Sequence, residues 1–293
     1  MHISANKGGA NIQRKPLPIP SHLWRTLDPR VLSNRLIILF AAAVTIGIGA
    51  YRLANGSSLT EAAIQAVGTG IFAVLAWALG RELDPDHNLP AYVGAILGVL
   101  GVLVLGMPNL LLTGAVVAML RLVNRTTGLP ARMTDSAALI VLVALVVARD
   151  GFWVIGPVVA TAFLLNALLP QPDRPNGFYF ALLTLLVTGA AAALFPASAW
   201  TLRFDAPLGG SITMAALLYL VIVLRDPPRL RSVGDWTGRP LNHARVQAAQ
   251  LLALVAALAV LLGDYVFGLM AVSPLWAAII GVIMRRVVQI LYD

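Results

Sequence analysis

Glu82, Asp84 and Asp86 alternate along the stretch RELDPDHNLP. Carboxylates this close together can hold a hard cation such as Mg2+, which can then bind a diphosphate. The same residues also fit a solvated turn whose backbone Pro85 fixes. A second group is Arg121, Asn124, Arg125, Thr127, Arg132 and Asp135. Guanidinium groups beside Thr hydroxyls can grip phosphate oxygens through charge-assisted hydrogen bonds. Topological charge, with Thr134 as a helix cap, explains the same residues more plainly. The third group lies in 225–245: Arg225, Asp226, Arg229, Arg231, Asp235, Arg239, His243 and Arg245. Headgroup recognition or docking of a protein partner would suit it, and so would topological charge alone. No catalytic residue can be designated, because the Walker, GxSxG and HExxH patterns are all missing from the sequence. With no cysteine, thiol nucleophiles, disulfides and Cys-ligated metals are excluded.

Apolar segments must position these groups. Of 293 residues, 59% are hydrophobic and 12% charged. A soluble domain carries about 25% charged residues. Lipid is therefore expected to replace water around most of the chain. Ten apolar segments run at 36–54, 59–80, 91–106, 108–123, 135–149, 151–169, 177–195, 209–224, 246–263 and 265–284. The expected fold is all-α: a polytopic transmembrane bundle of about ten helices over 36–293, preceded by a basic tail at 1–35. The tail has no signal-peptide layout. Leu23, Leu27 and Val31 recur there at helical spacing and suit either a short interfacial helix, which Asp28-Pro29 would interrupt, or a cytosolic tail without regular structure. Segments three to five are shorter than the roughly 20 residues that span a bilayer. They read either as short crossings or as half-membrane hairpins.

The net charge is +8, but the basic residues make no continuous face for nucleic acid. With both termini cytosolic, 18 of the 21 Lys and Arg fall inside, leaving Arg52, Arg149 and Arg203 outside. Moving such charges across a membrane is unfavourable, so this split predicts the orientation, in a plasma (inner) membrane of bacterial type. Gly94 and Gly98 form a GxxxG, and Ala62, Ala66 and Gly70 share one face, which predicts close helix packing. Loops with Pro85-Asp86, Thr127-Gly128-Leu129-Pro130, Pro172-Asp173 and Thr237-Gly238-Arg239-Pro240 alternate along the chain. That order suggests a parallel internal repeat of four helices per unit. Gln65 and Asn166 are the main polar residues at depth; the near-absence of buried charge lowers the expectation of ion-coupled transport.

This plan loosely resembles the intramembrane prenyltransferases, which place Asp-rich Mg2+–diphosphate motifs in the cytosolic loops after the second and sixth helices. Glu82, Asp84 and Asp86 fall in the first such loop here; the second holds only Asp173, and the family's fuller Asp spacing is missing from both. Ten helices in about this length is also similar to the drug/metabolite transporters. The expected function is an enzyme or binder acting on a phosphate-bearing lipid at the cytosolic face. Glu82, Asp84 and Asp86 would hold Mg2+, while Arg125, Thr127, Arg132, Arg239 and Arg245 would bind phosphate. The alternatives are a transporter or flippase for a small or lipidic solute, and a non-catalytic assembly subunit docking a protein through the tail and loop 225–245. Membrane lipids are the expected partners, and nucleic acid is not.

Overall fold

The computed structural model describes residues 21–24, 27–173, 175–195, 206–225, 230–263 and 265–292. Eleven helices follow in order: α1 Leu32–Ala54, α2 Leu59–Leu83, α3 Leu89–Leu105, α4 Leu110–Asn124, α5 Met133–Asp150, α6 Ile155–Leu168, α7 Asn176–Leu194, α8 Ala206–Arg225, α9 His243–Gly263, α10 Tyr265–Ala271 and α11 Ser273–Tyr292. No strand occurs among the described residues, only an isolated bridge between Val233 and Pro240. The first nine apolar segments each became one helix. The tenth divides into the short α10 and a long α11 that runs on to Tyr292. Ser273-Pro274 starts the new helix, where proline suits a first turn.

Helices α1, α2, α7, α9 and α11 are long and apolar enough to cross a membrane. Helices α3, α4 and α6 are apolar but shorter, and residues 209–225 of α8 are apolar too. Large apolar side chains also cover the outer wall: Leu39, Ile46, Val104, Leu186 and Leu194 are exposed. A water-soluble protein rarely shows contiguous apolar surface on this scale, so the wall suits lipid. The inside is a different matter. From Leu112 to Asn124, only Gly114 and Arg121 are not fully buried, so α4 is surrounded by protein. It packs against α2, α5, α6 and α9.

Local signals explain the helix ends. Ser58 and Glu61 form a capping box at the start of α2. Asn109 Oδ1 accepts from the Leu112 amide at 2.9 Å and caps α4. Gly106, at φ 101°, ends α3 in a conformation other residues avoid. Small residues bring α2, α3 and α11 backbone to backbone. A Cβ on Gly98 would lie 2.8 Å from Ala76 Cβ, and one on Gly94 would lie 3.2 Å from the Ala76 carbonyl and 3.3 Å from Ala278 Cα. The GxxxG of α3 is thus occupied within the chain. On the other face of α2, Gly70 meets Thr45 and Ala66 meets Gly49, both on α1.

Helices α3 and α11 run antiparallel, with Gly101 beside Ser273 and Gly281 beside Pro90. One end of the bundle gathers the loops before α3, α5, α7 and α9, with residues 21–24 and the Arg285 region of α11. We call this the basic end. The opposite end holds the α3–α4 and α5–α6 connections and α10.

Candidate functional site

Arg245 anchors the basic end. It lies in the first turn of α9 and is 1% exposed. Its Nε donates to the Pro170 carbonyl at 2.8 Å. Nη1 donates to Val123 O at 2.9 Å and Asn166 Oδ1 at 3.1 Å. Nη2 donates to Asn166 O at 3.4 Å and Gln171 O at 3.1 Å. A guanidinium has five N–H donors, and all five are engaged. This side chain ties α4, α6 and α9 together.

Arg125 shares the same acceptor. It follows the last turn of α4 in the left-handed region, at φ 53° and ψ 48°. That conformation costs an L-residue other than glycine roughly 1–2 kcal/mol. Its Nε and Nη2 donate to Asn166 Oδ1 at 3.1 and 2.9 Å. The side chain is 9% exposed, and among the described residues its other donors have no partner. Burial holds its pKa below the ordinary arginine value, while the nearby charge of Asp173 pushes it up. Asp173 accepts from Asn166 Nδ2 at 3.4 Å and from Asn176 Nδ2 at 3.3 Å. The second described non-glycine residue with positive φ, Gln171, supplies one of the carbonyls that hold Arg245. Both strained positions therefore bracket one cluster: two buried guanidiniums, one amide and one neighbouring carboxylate.

The three carboxylates of 82–86 face three different partner sets. Glu82 is 1% exposed. It accepts from Arg121 Nε at 3.0 Å, Asn124 Nδ2 at 3.2 Å and Thr126 Oγ1 at 3.4 Å. Asp84 pairs with Arg285 Nε at 3.0 Å and His87 Nδ1 at 2.9 Å. Asp86 accepts from the backbone amides of Arg231 and Ser232 at 2.9 and 2.8 Å. Burial raises the Asp86 pKa, but the hydrogen bonds from Ser232 and Arg231, with the charge of His87, outweigh it and hold the group below 3.8. Among the described residues, no three His, Cys, Asp or Glu side chains are grouped to hold a metal ion.

Thr127, Arg132 and Arg239 lie elsewhere on the same end. Thr127 Oγ1 donates to His22 O at 3.1 Å, and Arg132 Nε to His22 Nε2 at 3.1 Å. The His22 and Arg132 amides both reach Asp135 Oδ2, at 2.9 and 3.1 Å. Leu23 is buried, and its carbonyl accepts from Arg121 Nη1 at 3.1 Å. Residues 21–24 thus form a non-helical strap over the end of α4. Residues 1–20, 25 and 26 of the tail lie outside the described part of the chain. The two TG turns meet: Asp235 N donates to Thr126 O and Trp236 N to Thr127 O, each at 3.1 Å. Arg239 is exposed in the second turn.

Of the five phosphate candidates, then, Arg125 and Arg245 converge, Thr127 and Arg132 hold the strap, and Arg239 stands apart. Sequence reasoning missed Asn166 as the hub of the cluster. The available signal was a lone amide in an apolar helix, which needs partners when buried. It also missed Arg285 as the partner of Asp84. Comparison with known proteins returns no match: no family model fits the chain, and neither a curated protein nor a solved structure is similar to it.

Proposed function

We propose that this chain is a multi-pass membrane protein that binds a phosphate-bearing lipid headgroup at the cytosolic face of the plasma membrane, with Arg125 as the main contact. One observation carries the reading. A buried arginine is held in a left-handed backbone conformation beside a second buried arginine, and part of its donor fork is unengaged. A helix C-cap of this shape normally takes glycine. Backbone strain of this kind collects at functional positions. Two guanidiniums near one carboxylate leave positive charge that an anion would neutralise, and a phosphate matches the guanidinium fork. The 18-to-3 division of basic residues supports placing this end in the cytosol.

Binding is favoured over Mg2+-dependent turnover because Glu82, Asp84 and Asp86 are each engaged by protein donors. The densely packed surroundings of α4 favour a binder over a conduit. The test compares wild type with Arg125→Gly and Arg125→Lys in vesicles of phosphatidylcholine containing phosphatidic acid. Glycine suits the backbone there, so the fold survives. Loss of a charge-assisted contact is worth about tenfold in affinity. Arg125→Gly should retain phosphatidic acid about tenfold less well, and Arg125→Lys should recover only part of the loss. Retention equal to wild type in Arg125→Gly would reduce Arg125 to a helix cap and end the proposal.

A further inference from the structure

A cavity of about 460 Å³ lies at the opposite end from the arginine cluster. Ile71 and Phe72 of α2, Met107 of the α3–α4 turn, Leu111 of α4 and Phe267 of α10 form its wall, with Arg149 of α5 at its edge. The volume is in the range of small-molecule sites. Several lining side chains also face outwards: Ile64, Ile71, Leu110 and Phe267 are exposed. The cavity therefore opens sideways, through the wall that faces lipid.

Its depth follows from helix length. Helix α4 has 15 residues and α3 has 17. At 1.5 Å per residue these span only about 22–26 Å, less than the ~30 Å hydrocarbon core. The connection at 106–109 must then sit within the apolar layer rather than above it. The turn is held in place. Met107 Cε lies where a Cβ on Gly68 would stand, 2.0 Å away. The Asn109 amide donates to Ala271 O at 3.2 Å. Phe152 stacks on Phe267 with centroids 5.5 Å apart and fixes the far wall. The groove is preformed, apolar, open to the side and within reach of acyl chains.

Arg149 supplies the polar contact. It is one of only three basic residues that the sequence places on this side of the membrane. Its pair with Asp150 is long, Nε to Oδ1 at 3.6 Å, and the arginine side chain is 76% exposed. A charge-assisted hydrogen bond is normally 2.7–2.9 Å. Arg149 is therefore free to turn towards a phosphate oxygen. We infer that this groove is a second lipid site, taking one acyl chain of a phospholipid between α2, α4 and α10 with its phosphate on Arg149. It is separate from the headgroup site at Arg125 and does not depend on it.

The test uses the full chain carrying Arg125→Gly, so that the other site does not contribute. Protein in nanodiscs of phosphatidylcholine doped with phosphatidylglycerol is released in a neutral detergent, and retained lipid is counted by native mass spectrometry. The background chain should keep one phosphatidylglycerol. Arg149→Gln should lower that retention about tenfold, while diacylglycerol offered in place of phosphatidylglycerol is kept equally by both. Ile71→Trp, which fills the groove from its exposed side, should displace both lipids. Arg52→Gln removes another basic residue of this side and should change nothing. Unaltered phosphatidylglycerol retention in both Arg149→Gln and Ile71→Trp, with melting temperatures preserved, would overturn the site. So would equal losses in Arg52→Gln and Arg149→Gln, which would reveal only diffuse charge. Phosphatidylglycerol loss in Arg149→Gln that inorganic phosphate reproduces as a competitor, without any effect of Ile71→Trp, would make it a phosphate site with no role for the acyl chain, and would also overturn it.

Discussion

At the scale of single residues, Arg245 and Arg125 share an acceptor but do different work. Replacing Arg245 with Leu leaves the Val123, Pro170 and Gln171 carbonyls without their donor. A buried orphaned acceptor costs about 1–3 kcal/mol. We expect Arg245→Leu to lose more than about 3 kcal/mol, read as a large fall in the melting temperature in detergent. An unchanged melting temperature would show that water replaces the guanidinium without loss. Asp86 sets a pH dependence. Its folded pKa is held below 3.8, so its hold on loop 231–232 is complete above that value and is lost as pH falls through the depressed pKa. Amide exchange at Arg231 and Ser232, corrected for intrinsic rates, should quicken on acidification and already be quick at neutral pH in Asp86→Ala. The residue types were legible from sequence: Arg125 and Arg245 stand among five expected phosphate ligands, with Thr127, Arg132 and Arg239, but nothing in the sequence marks these two as buried. Their partners were not. Arg245 and Val123 meet across 122 positions of chain, and no local spacing announces that. Glu82 reads as a metal candidate because its sequence neighbours are acidic; the donors the fold brings to it, Arg121 and Asn124, come from another helix, and nothing local in the sequence points to them.

Helices and turns were easier to foresee. Continuous apolar runs located nine of the helices to within four residues at either end, because in lipid every backbone polar group must be satisfied within its own helix. The break at Val272 was hidden, since apolar residues run across it and only Ser273-Pro274 marks the change. The GxxxG of α3 told that backbones would touch but not which ones. Its partner is now specific, and a swap tests it. Gly98→Ala should destabilise the bundle, because the new Cβ would sit 2.8 Å from Ala76 Cβ. Adding Ala76→Gly should restore much of the loss despite the intrinsic cost of glycine in a helix, about 1 kcal/mol. A double variant no better than the single would place the strain elsewhere. The turns give a parallel case. Gly128, at φ 83°, has Thr237 Oγ1 at 2.0 Å from any added Cβ. Gly128→Ala should cost at least the roughly 1–2 kcal/mol of a left-handed alanine, measured by thermal melting.

For the molecule as a whole, orientation is the most accessible quantity. The chain has no cysteine, so single cysteines can be introduced without background. Arg239→Cys at the basic end should react with an impermeant maleimide only after cells are opened, and Asn55→Cys at the other end should react from outside. Both positions are exposed. Reaction of Arg239→Cys in intact cells would reverse the proposed topology and move the arginine cluster to the other side. Composition was enough to foresee a helical protein solvated by lipid. It could not foresee that α4 would be enclosed while α1 keeps only Ile37 fully buried.

The meeting of the two TG turns carries a consequence for biogenesis. A chain threaded into the membrane from its N-terminus presents the Thr126 and Thr127 carbonyls long before Asp235 and Trp236 exist to bind them. The strap at 21–24 settles on this same corner. Until the loop ahead of α9 leaves the ribosome, the early helices are held at the basic end without this pair of bonds, with the strap alone across that corner, and a chaperone or insertase would find its client open beside it.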